Sequence, residues 1–114
     1  MNEGEWTTTE KEFYDSIPNK ETKDEYRRGL QRFANWFGKT PDEILQMRRQ
    51  DLKSEDTFTR KRFEREVEKF HAALKQQGTS TNSARTYCQG MRQFFRYYEV
   101  PILLRRGSKS ARES

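Results

Sequence analysis

The sequence predicts an all-α protein, a bundle of three long helices and one or two short ones with short connections. Three observations predict it. Apolar residues recur at helical spacing in three long segments, capping residues stand where those segments begin, and no segment alternates as a strand does. A chain of 114 residues fits one domain. We place the helical domain at residues 1–104 and a flexible basic tail at 105–114.

Two helices are predicted in the N-terminal part. A short helix lies near 8–16 and ends before Pro18, because the residue that precedes a proline avoids helical backbone angles. The first long helix covers 22–37, with Thr22 as its N-cap and Glu25 completing a capping box. Its inward face carries Tyr26, Leu30, Phe33 and Phe37.

The remaining elements follow from caps and apolar spacing. A short helix opens at Thr40-Pro41-Asp42-Glu43, where threonine caps, proline takes the first helical position and carboxylates oppose the positive helix end. Residues 51–56 are predicted as a loop. The second long helix covers 58–77, and the third covers 81–98 with Ser80 as its cap. Their inward faces carry Phe63, Val67, Phe70 and Leu74, then Ala84, Tyr87, Met91, Phe94, Phe95 and Tyr98.

Charge is distributed unevenly along the chain. Residues 1–56 carry 10 Lys/Arg and 13 Asp/Glu, a net charge of −3, whereas residues 57–114 carry 13 and 5, a net charge of +8. A basic half in a chain of pI near 9.5 predicts a polyanion or an anionic membrane surface as partner. No apolar run is long enough to span a bilayer. The single cysteine, Cys88, suits the reducing cytoplasm.

Two stretches 61 positions apart follow nearly the same template. The first has Thr22, Tyr26 and Gly29-Leu30-Gln31-Arg32-Phe33, and the second has Ser83, Tyr87 and Gly90-Met91-Arg92-Gln93-Phe94. The repeat predicts two similar helices that grip one extended anionic object at two places. Glycine inside a helix costs about 1 kcal/mol relative to alanine. Gly29 and Gly90 therefore allow either a close helix crossing, which we favour, or the close approach of a phosphate backbone.

Candidate nucleic-acid-binding residues cluster on the third long helix. Small polar side chains and unpaired N–H groups at its start suit a phosphate oxygen. Arginine and glutamine then recur on its outer face, and these side chains read guanine and adenine edges in a major groove. The alternative is that the small residues only cap the helix and the arginines only solvate it. The pattern as a whole favours duplex DNA through Ser80, Thr81, Asn82, Ser83, Arg85, Gln89, Arg92 and Arg96, with a thinner stripe of Thr22, Lys23, Arg27 and Gln31.

Support for catalysis is weak. His71 is the one histidine, Cys88 has no paired ligands in the sequence, and no Gly-rich phosphate loop precedes a helix. We interpret His71 as a partly exposed helix residue and Cys88 as a packing residue. We expect no metal, no cofactor and no catalytic residue in this chain. Helix 58–77 is interpreted as a solvated face, although its Arg60 and Lys61 could touch phosphates.

Residues from Phe13 to Leu104 resemble the core-binding domain of tyrosine recombinases and phage-type integrases, the SAM-like N-terminal domain of that family. The stretch Lys39–Ile44 is most similar to archaeal or archaeal-virus members. The matching pieces are Thr22, Tyr26, Leu30 and Phe33, then Gly38 to Ile44, and finally Gly78, Ser80, Ser83, Tyr87, Met91-Arg92, Phe94-Phe95 and Val100-Pro101-Ile102. Two departures concern the expected base contacts: the family often has threonine where Ser83 stands and proline near Thr81.

The resemblance implies a four-helix orthogonal bundle that forms half of a C-shaped clamp on DNA. Helices 22–37 and 81–98 would lie against the major groove, with contacts from Lys20, Thr22, Lys23 and Arg27 and from Ser80, Thr81, Asn82, Ser83, Arg85 and Gln89. It also implies a role in DNA integration and recombination at the nucleoid, beside other recombinase protomers. The family's catalytic Arg, His-x-x-Arg and Tyr are expected after the Arg105–Arg112 linker, so this chain would hold DNA without cutting it.

An interaction module is the alternative from another class. A small helical bundle could dock an acidic protein with the same basic face, and such a face carries exposed aromatics at its centre. Trp6, Trp36 and Tyr97 are the candidates. A free-standing enzyme is the least supported of the three hypotheses.

Overall fold

The computed structural model describes residues 8–103, and within that range every regular element is a helix. The all-α prediction is therefore confirmed for this part of the chain. Trp6 and the predicted tail at 105–114 lie outside the described residues. In the described range, no helix combines the length and apolar character needed to cross a bilayer. The helices are α1 (Thr8–Asp15), α2 (Lys20–Phe37), α3 (Pro41–Leu52), α4 (Thr57–Arg60), α5 (Arg62–Gln76) and α6 (Thr81–Tyr97).

Helix α2 begins two residues earlier than predicted. Asn19 is its N-cap, and the Asn19 side-chain oxygen accepts a hydrogen bond from the Thr22 N–H at 2.9 Å. The predicted capping box of Thr22 and Glu25 is wrong, because the extended backbone of Asn19 after Pro18 leaves the asparagine side chain free to cap first. Glu25 instead forms an ion pair with Arg28 at 3.2 Å.

The caps of α3 and α6 are confirmed. At the start of α3, the Thr40 hydroxyl accepts from the Glu43 N–H at 3.2 Å and the Glu43 carboxylate accepts from the Thr40 N–H at 3.0 Å, a complete capping box. Ser80 caps α6 by accepting from the Ser83 N–H at 3.1 Å. Gly78, with a positive φ of 91°, makes the left-handed turn that follows α5.

The predicted helix 58–77 is broken into α4 and α5. Asp56 caps α4 by accepting from the Thr59 N–H at 3.1 Å, and Lys61 stands between the two helices with φ −101° and ψ 16°. The carbonyl oxygen of Arg60 accepts a hydrogen bond from the Arg48 guanidinium at 3.0 Å. This long-range donor competes with the helical bonding pattern at the break, and apolar spacing in the sequence gives no sign of it.

Helices α2 and α6 cross at the two glycines of the repeat. A Cβ placed on Gly29 would lie 2.7 Å from the Tyr87 carbonyl oxygen, and one placed on Gly90 would lie 3.0 Å from the Tyr26 Cα. The crossing is therefore reciprocal, since each glycine receives the tyrosine of the other helix. Close packing is confirmed as the role of both glycines, and protein atoms fill the space that the alternative reserved for a phosphate backbone.

Aromatic rings form most of the core around this crossing. Phe33 meets Phe70 edge-on at 5.3 Å between ring centroids, and Phe13 meets Phe94 at 5.5 Å. These contacts connect α1, α2, α5 and α6. The inward faces of α5 and α6 are buried as predicted, except that Tyr98 is half-buried.

A buried arginine holds the segment after α6. Arg48 on α3 is 2% exposed, and its guanidinium donates to the Val100 carbonyl at 3.1 Å, to the Pro101 carbonyl and to the Glu64 carboxylate at 3.1 Å. The Leu103 N–H donates to the same Glu64 carboxylate at 3.0 Å. The segment 100–103 is thereby bound across α3 and α5, which leaves the outer face of α6 uncovered by it.

Candidate nucleic-acid interface

The outer face of α6 carries the clearest cluster of positive charge. Tyr87, Met91 and Phe94 face the core, so the helical spacing places Arg85, Arg92 and Arg96 on the solvent side, where all three are exposed. Helix α6 contains no Asp or Glu. At about 1.5 Å per residue, the three arginines span roughly 16 Å along the helix axis.

These arginines differ in their partners from the cations of the fold that form ion pairs. Lys20, Arg28, Lys69 and the half-buried Arg62 each lie 3.2 to 3.4 Å from a carboxylate. Within residues 8–103, no carboxylate lies within ion-pair distance of the three α6 arginines, and the Arg92 guanidinium donates a hydrogen bond to the Gln89 side-chain oxygen at 3.5 Å. Their charge is therefore available to an external anion.

The start of α6 is occupied mainly by its own cap. The Ser83 N–H donates to the Ser80 hydroxyl oxygen, and the Thr86 hydroxyl donates to the Asn82 carbonyl at 3.0 Å. The capping interpretation is confirmed for Ser80. The side chains of Thr81 and Asn82 are exposed. A phosphate contact at this end stays a prediction.

A groove of about 580 Å³ runs between α2 and α6. It brings Thr22 together with Arg85 and Gln89, three of the predicted contacts from the two repeated helices. Arg28 also faces it. Three carboxylates share the same walls, which gives the groove mixed charge and makes it unfavourable for a chain of phosphates. Its lining is Glu21, Thr22, Asp24, Glu25, Tyr26, Arg28, Arg85, Thr86 and Gln89.

Lys23 and Arg27 lie on another flank of α2. At about 100° per residue, Arg27 is turned about 140° away from Thr22 around the helix axis. Both side chains are half-buried, and among the described residues neither lines the α2/α6 groove. Lys20 is exposed and pairs with Asp24 at 3.4 Å. The structure therefore joins part of the predicted α2 set to α6 and leaves Lys20, Lys23 and Arg27 apart from it.

A second groove, of about 290 Å³, lies between α5 and α6. Arg85, Gln89 and Arg92 face it from α6, and His71 and Glu68 face it from α5. Val67 and Cys88, both buried, lie at its base. This groove brings the histidine beside two of the unpaired arginines.

The titratable groups of the α5/α6 groove have shifted pKa values with clear causes. Burial lowers the pKa of His71, and the positive charges of Lys75 and Arg85 lower it further. Burial raises the pKa of the Cys88 thiol to about 12, so the thiol is neutral. The sequence interpretation gave His71 no function. Its position four residues after Val67 and three before Leu74 was the available signal that it borders the face of α5 that meets α6.

The exposed aromatics of the described residues, which are Trp36, Phe58 and Tyr97, line neither groove. Trp36 is 38% exposed and packs on Phe33 and Phe70, and Tyr97 is 43% exposed and packs on Phe13. In the part of the chain that the structure describes, neither residue lines the α2/α6 or the α5/α6 groove. They do not form the centre of the basic face, as a protein-docking surface would require.

Comparisons with protein-family models, with curated proteins and with solved structures give no match to this chain. Within residues 8–103, no three His, Cys, Asp or Glu side chains gather into a group that could hold a metal ion. The properties of the candidate interface are therefore those of its own side chains, namely exposed arginines, amides and one histidine.

Proposed function

We propose that this chain binds duplex DNA through the outer face of α6. One observation supports this above the others: Arg85, Arg92 and Arg96 are exposed on a helix without carboxylates and form no ion pair within the described residues. Neutralising DNA phosphates releases condensed counterions, and this release supplies much of the affinity of such proteins.

The size and chemistry of α6 suit a major groove. An α-helix with its side chains is about 10 to 12 Å across, close to the width of that groove in B-DNA. The arginines would contact phosphates or guanine edges, and the Gln89 amide is the group that pairs with an adenine edge. Contacts to phosphate position the protein, whereas contacts to base edges would give it sequence preference.

Helix α2 contributes less to this surface. Thr22 lines the α2/α6 groove, but Glu21, Asp24 and Glu25 line it as well and repel phosphates. Contacts by Lys20, Lys23 and Arg27 require the duplex to extend around α2 beyond this groove. DNA binding therefore depends mainly on α6.

The finer proposal comes from the family resemblance. The helices would form the four-helix orthogonal SAM-like arrangement of a core-binding domain, within a tyrosine recombinase or integrase that acts in DNA integration and recombination. The chain would hold DNA beside other protomers at the nucleoid, and the strand-cutting residues would belong to a separate catalytic domain.

Titration of a labelled duplex at low and moderate salt tests the proposal. We expect R85A/R92A to lose about tenfold or more in affinity and to reduce the salt slope by about 2, because each arginine releases about one counterion. The matched control is R49A/K53A, which removes the same charge from exposed positions in the last turn and at the C-cap of α3. Binding of R85A/R92A equal to that of the control, or no salt-sensitive binding at tens of micromolar protein, would contradict the proposal.

The docking of an acidic protein is supported by the exposed large apolar side chains of the described residues, which are Trp36, Phe58, Tyr97 and Leu103. The same titration separates the two functions through W36A. Duplex binding that depends on Arg85 and Arg92 but not on Trp36 supports the DNA interface. A protein-docking surface that contains Trp36 would lose an apolar contact in W36A.

A further inference from the structure

The α5/α6 groove has the composition of an anion site built from two helices. We propose that a backbone phosphate of the duplex binds in this groove between Arg85 and Arg92, and that His71 takes up a proton and donates a hydrogen bond to it. The inference rests on the proposed DNA-binding function. It adds that α5 takes part in the interface and that binding is coupled to protonation of His71. The sequence pattern of α5 did not predict a phosphate contact from His71.

The walls and base of the groove suit a phosphodiester group. Arg85, Gln89 and Arg92 follow one another at spacings of four and three, so their side chains project along the same edge of α6. The base is Val67, 1% exposed, and Cys88, whose raised pKa keeps the thiol neutral. The base is neutral, and the two arginines outnumber the one carboxylate of the walls, Glu68, so the groove has the net positive charge that a phosphate requires.

The charged groups around His71 explain its present state. From its own helix, Lys75 opposes a positive imidazolium, and Glu68 lines the same groove as a carboxylate. From α6, the charge of Arg85 opposes protonation, and Arg92 lines the same groove. Helix α2 contributes no side chain to this lining within the described residues. The net effect with burial is a pKa below the ordinary value of about 6.5.

A bound phosphate reverses this balance. Its negative charge compensates the two arginines and favours the imidazolium, so the pKa of His71 rises when DNA binds. One proton is taken from solvent to the imidazole, and no covalent bond changes. By linkage, DNA affinity increases as the pH falls from above the pKa of the complex towards the pKa of the free protein.

The α2/α6 groove offers no equivalent site, although it is larger. Three carboxylates line it, those of Glu21, Asp24 and Glu25, whereas Glu68 is the one carboxylate that lines the α5/α6 groove.

Removing the negative charge of Glu68 should improve the proposed phosphate site. We expect E68Q to bind duplex more tightly than the wild type across the pH range. R85A/R92A should bind more weakly throughout.

Because the chain has one histidine, the protonation of His71 can be followed without signals from other imidazoles. In untagged protein, the imidazole NMR resonances of His71 are followed from pH 5 to 8, free and with saturating duplex. We expect the duplex to raise the His71 pKa by about one unit, which corresponds to about a tenfold gain in affinity at acid pH. H71Q should lose this pH dependence. A His71 titration unchanged by saturating duplex would overturn the inference.

Two further comparisons separate the possible failures. If duplex binding depends on Arg85 and Arg92 while the His71 pKa stays fixed, the phosphate site is wrong and the DNA-binding face stands. If no duplex binds, both proposals fail together. Inorganic phosphate at the same phosphate concentration is the control for the ligand, and an equal rise in pKa with it would overturn the assignment to DNA.

Stability and affinity should respond to acid in opposite directions. A folded-state pKa below the unfolded value means that the neutral imidazole stabilises the fold above about pH 6.5, and that this contribution is lost as the pH falls towards the folded pKa. Tighter DNA binding over the same pH range therefore cannot arise from a more stable protein.

Discussion

At the scale of single residues, Gly29 and Gly90 explain much of the sequence repeat. Each lies against the backbone or Cβ of a tyrosine on the opposite helix, so the repeat of Tyr26 and Tyr87 with these glycines records a reciprocal helix crossing. The sequence favoured a helix crossing as the cause of this pattern but did not exclude a phosphate contact, because glycine is suited to both. The glycines and tyrosines of the repeat therefore serve packing, and only its arginines and polar residues are left as candidates for DNA contacts.

Substitution of Gly29 tests the crossing. G29A would place a Cβ 2.7 Å from the Tyr87 carbonyl oxygen and 2.8 Å from its Cα, and these backbone atoms can move only if α6 shifts. Overpacking typically costs about 1 to 3 kcal/mol, against about 1 kcal/mol gained from the helix propensity of alanine. Because the contacts are shorter than 3.0 Å and are made to backbone atoms, we expect a cost in the upper part of that range. The net loss in the free energy of unfolding, measured with urea, should then be about 1 to 2 kcal/mol.

The exposed position Asn35 on the same helix provides the control. N35A introduces a better helix former without a new contact, so it should leave stability unchanged or slightly increased. Unchanged or increased stability of G29A would show that α2 and α6 do not approach as closely as described.

The burial of Arg48 and the position of His71 in the α5/α6 groove were not predicted from the sequence. Arg48 is one of two neighbouring arginines on α3, yet it is buried against Glu64 while Arg49 is exposed. Which of the two points inward depends on the rotation of α3 and on the later segment 100–103. Both depend on tertiary packing, which the spacing of residues along one helix does not reveal.

At the scale of elements, apolar periodicity predicted every long helix but was less informative about their ends. The Thr40 and Ser80 caps were predicted correctly because each stands immediately before the apolar pattern of its helix. Asn19 was missed because Thr22 also has capping chemistry and a glutamate three residues later. The break at Lys61 was missed because the bond that accompanies it comes from Arg48 on another helix.

Two alanine substitutions test the assigned cap of α2. N19A removes the side-chain acceptor of the Thr22 N–H and should destabilise the protein by about 1 kcal/mol, the usual cost of losing an N-cap. T22A should cost much less, since the Thr22 hydroxyl does not cap the helix. Urea denaturation of both variants measures the difference. A larger loss in T22A than in N19A would restore Thr22 as the cap.

At the scale of the whole molecule, part of the predicted interface is assembled and part is not. The fold brings Thr22, Arg85 and Gln89 to one groove, and Arg85, Gln89 and Arg92 to another. Lys23 and Arg27 are turned onto another flank, because the glycine crossing fixes the rotation of α2. The stripe on α6 was predictable from a single helix, whereas the relation between two helices was not.

The proposed interface is thus centred on α6 and extends towards α5 more than towards α2. The carboxylates of Glu21, Asp24 and Glu25 disfavour phosphates on the α2 side, and His71 with the neutral base of the α5/α6 groove favours them on the other. This asymmetry distinguishes the interface from the symmetric two-helix grip that the sequence repeat suggested.

Chemical-shift mapping of the ¹⁵N-labelled protein with an unlabelled duplex tests this most directly. We expect the amide and side-chain signals of Arg85, Gln89, Arg92 and Arg96 to move most, followed by those around His71, with little change at Trp36 or Tyr97. Shifts centred on Lys23 and Arg27 or on the exposed aromatics, with α6 unaffected, would contradict the assignment of the DNA-binding face to α6.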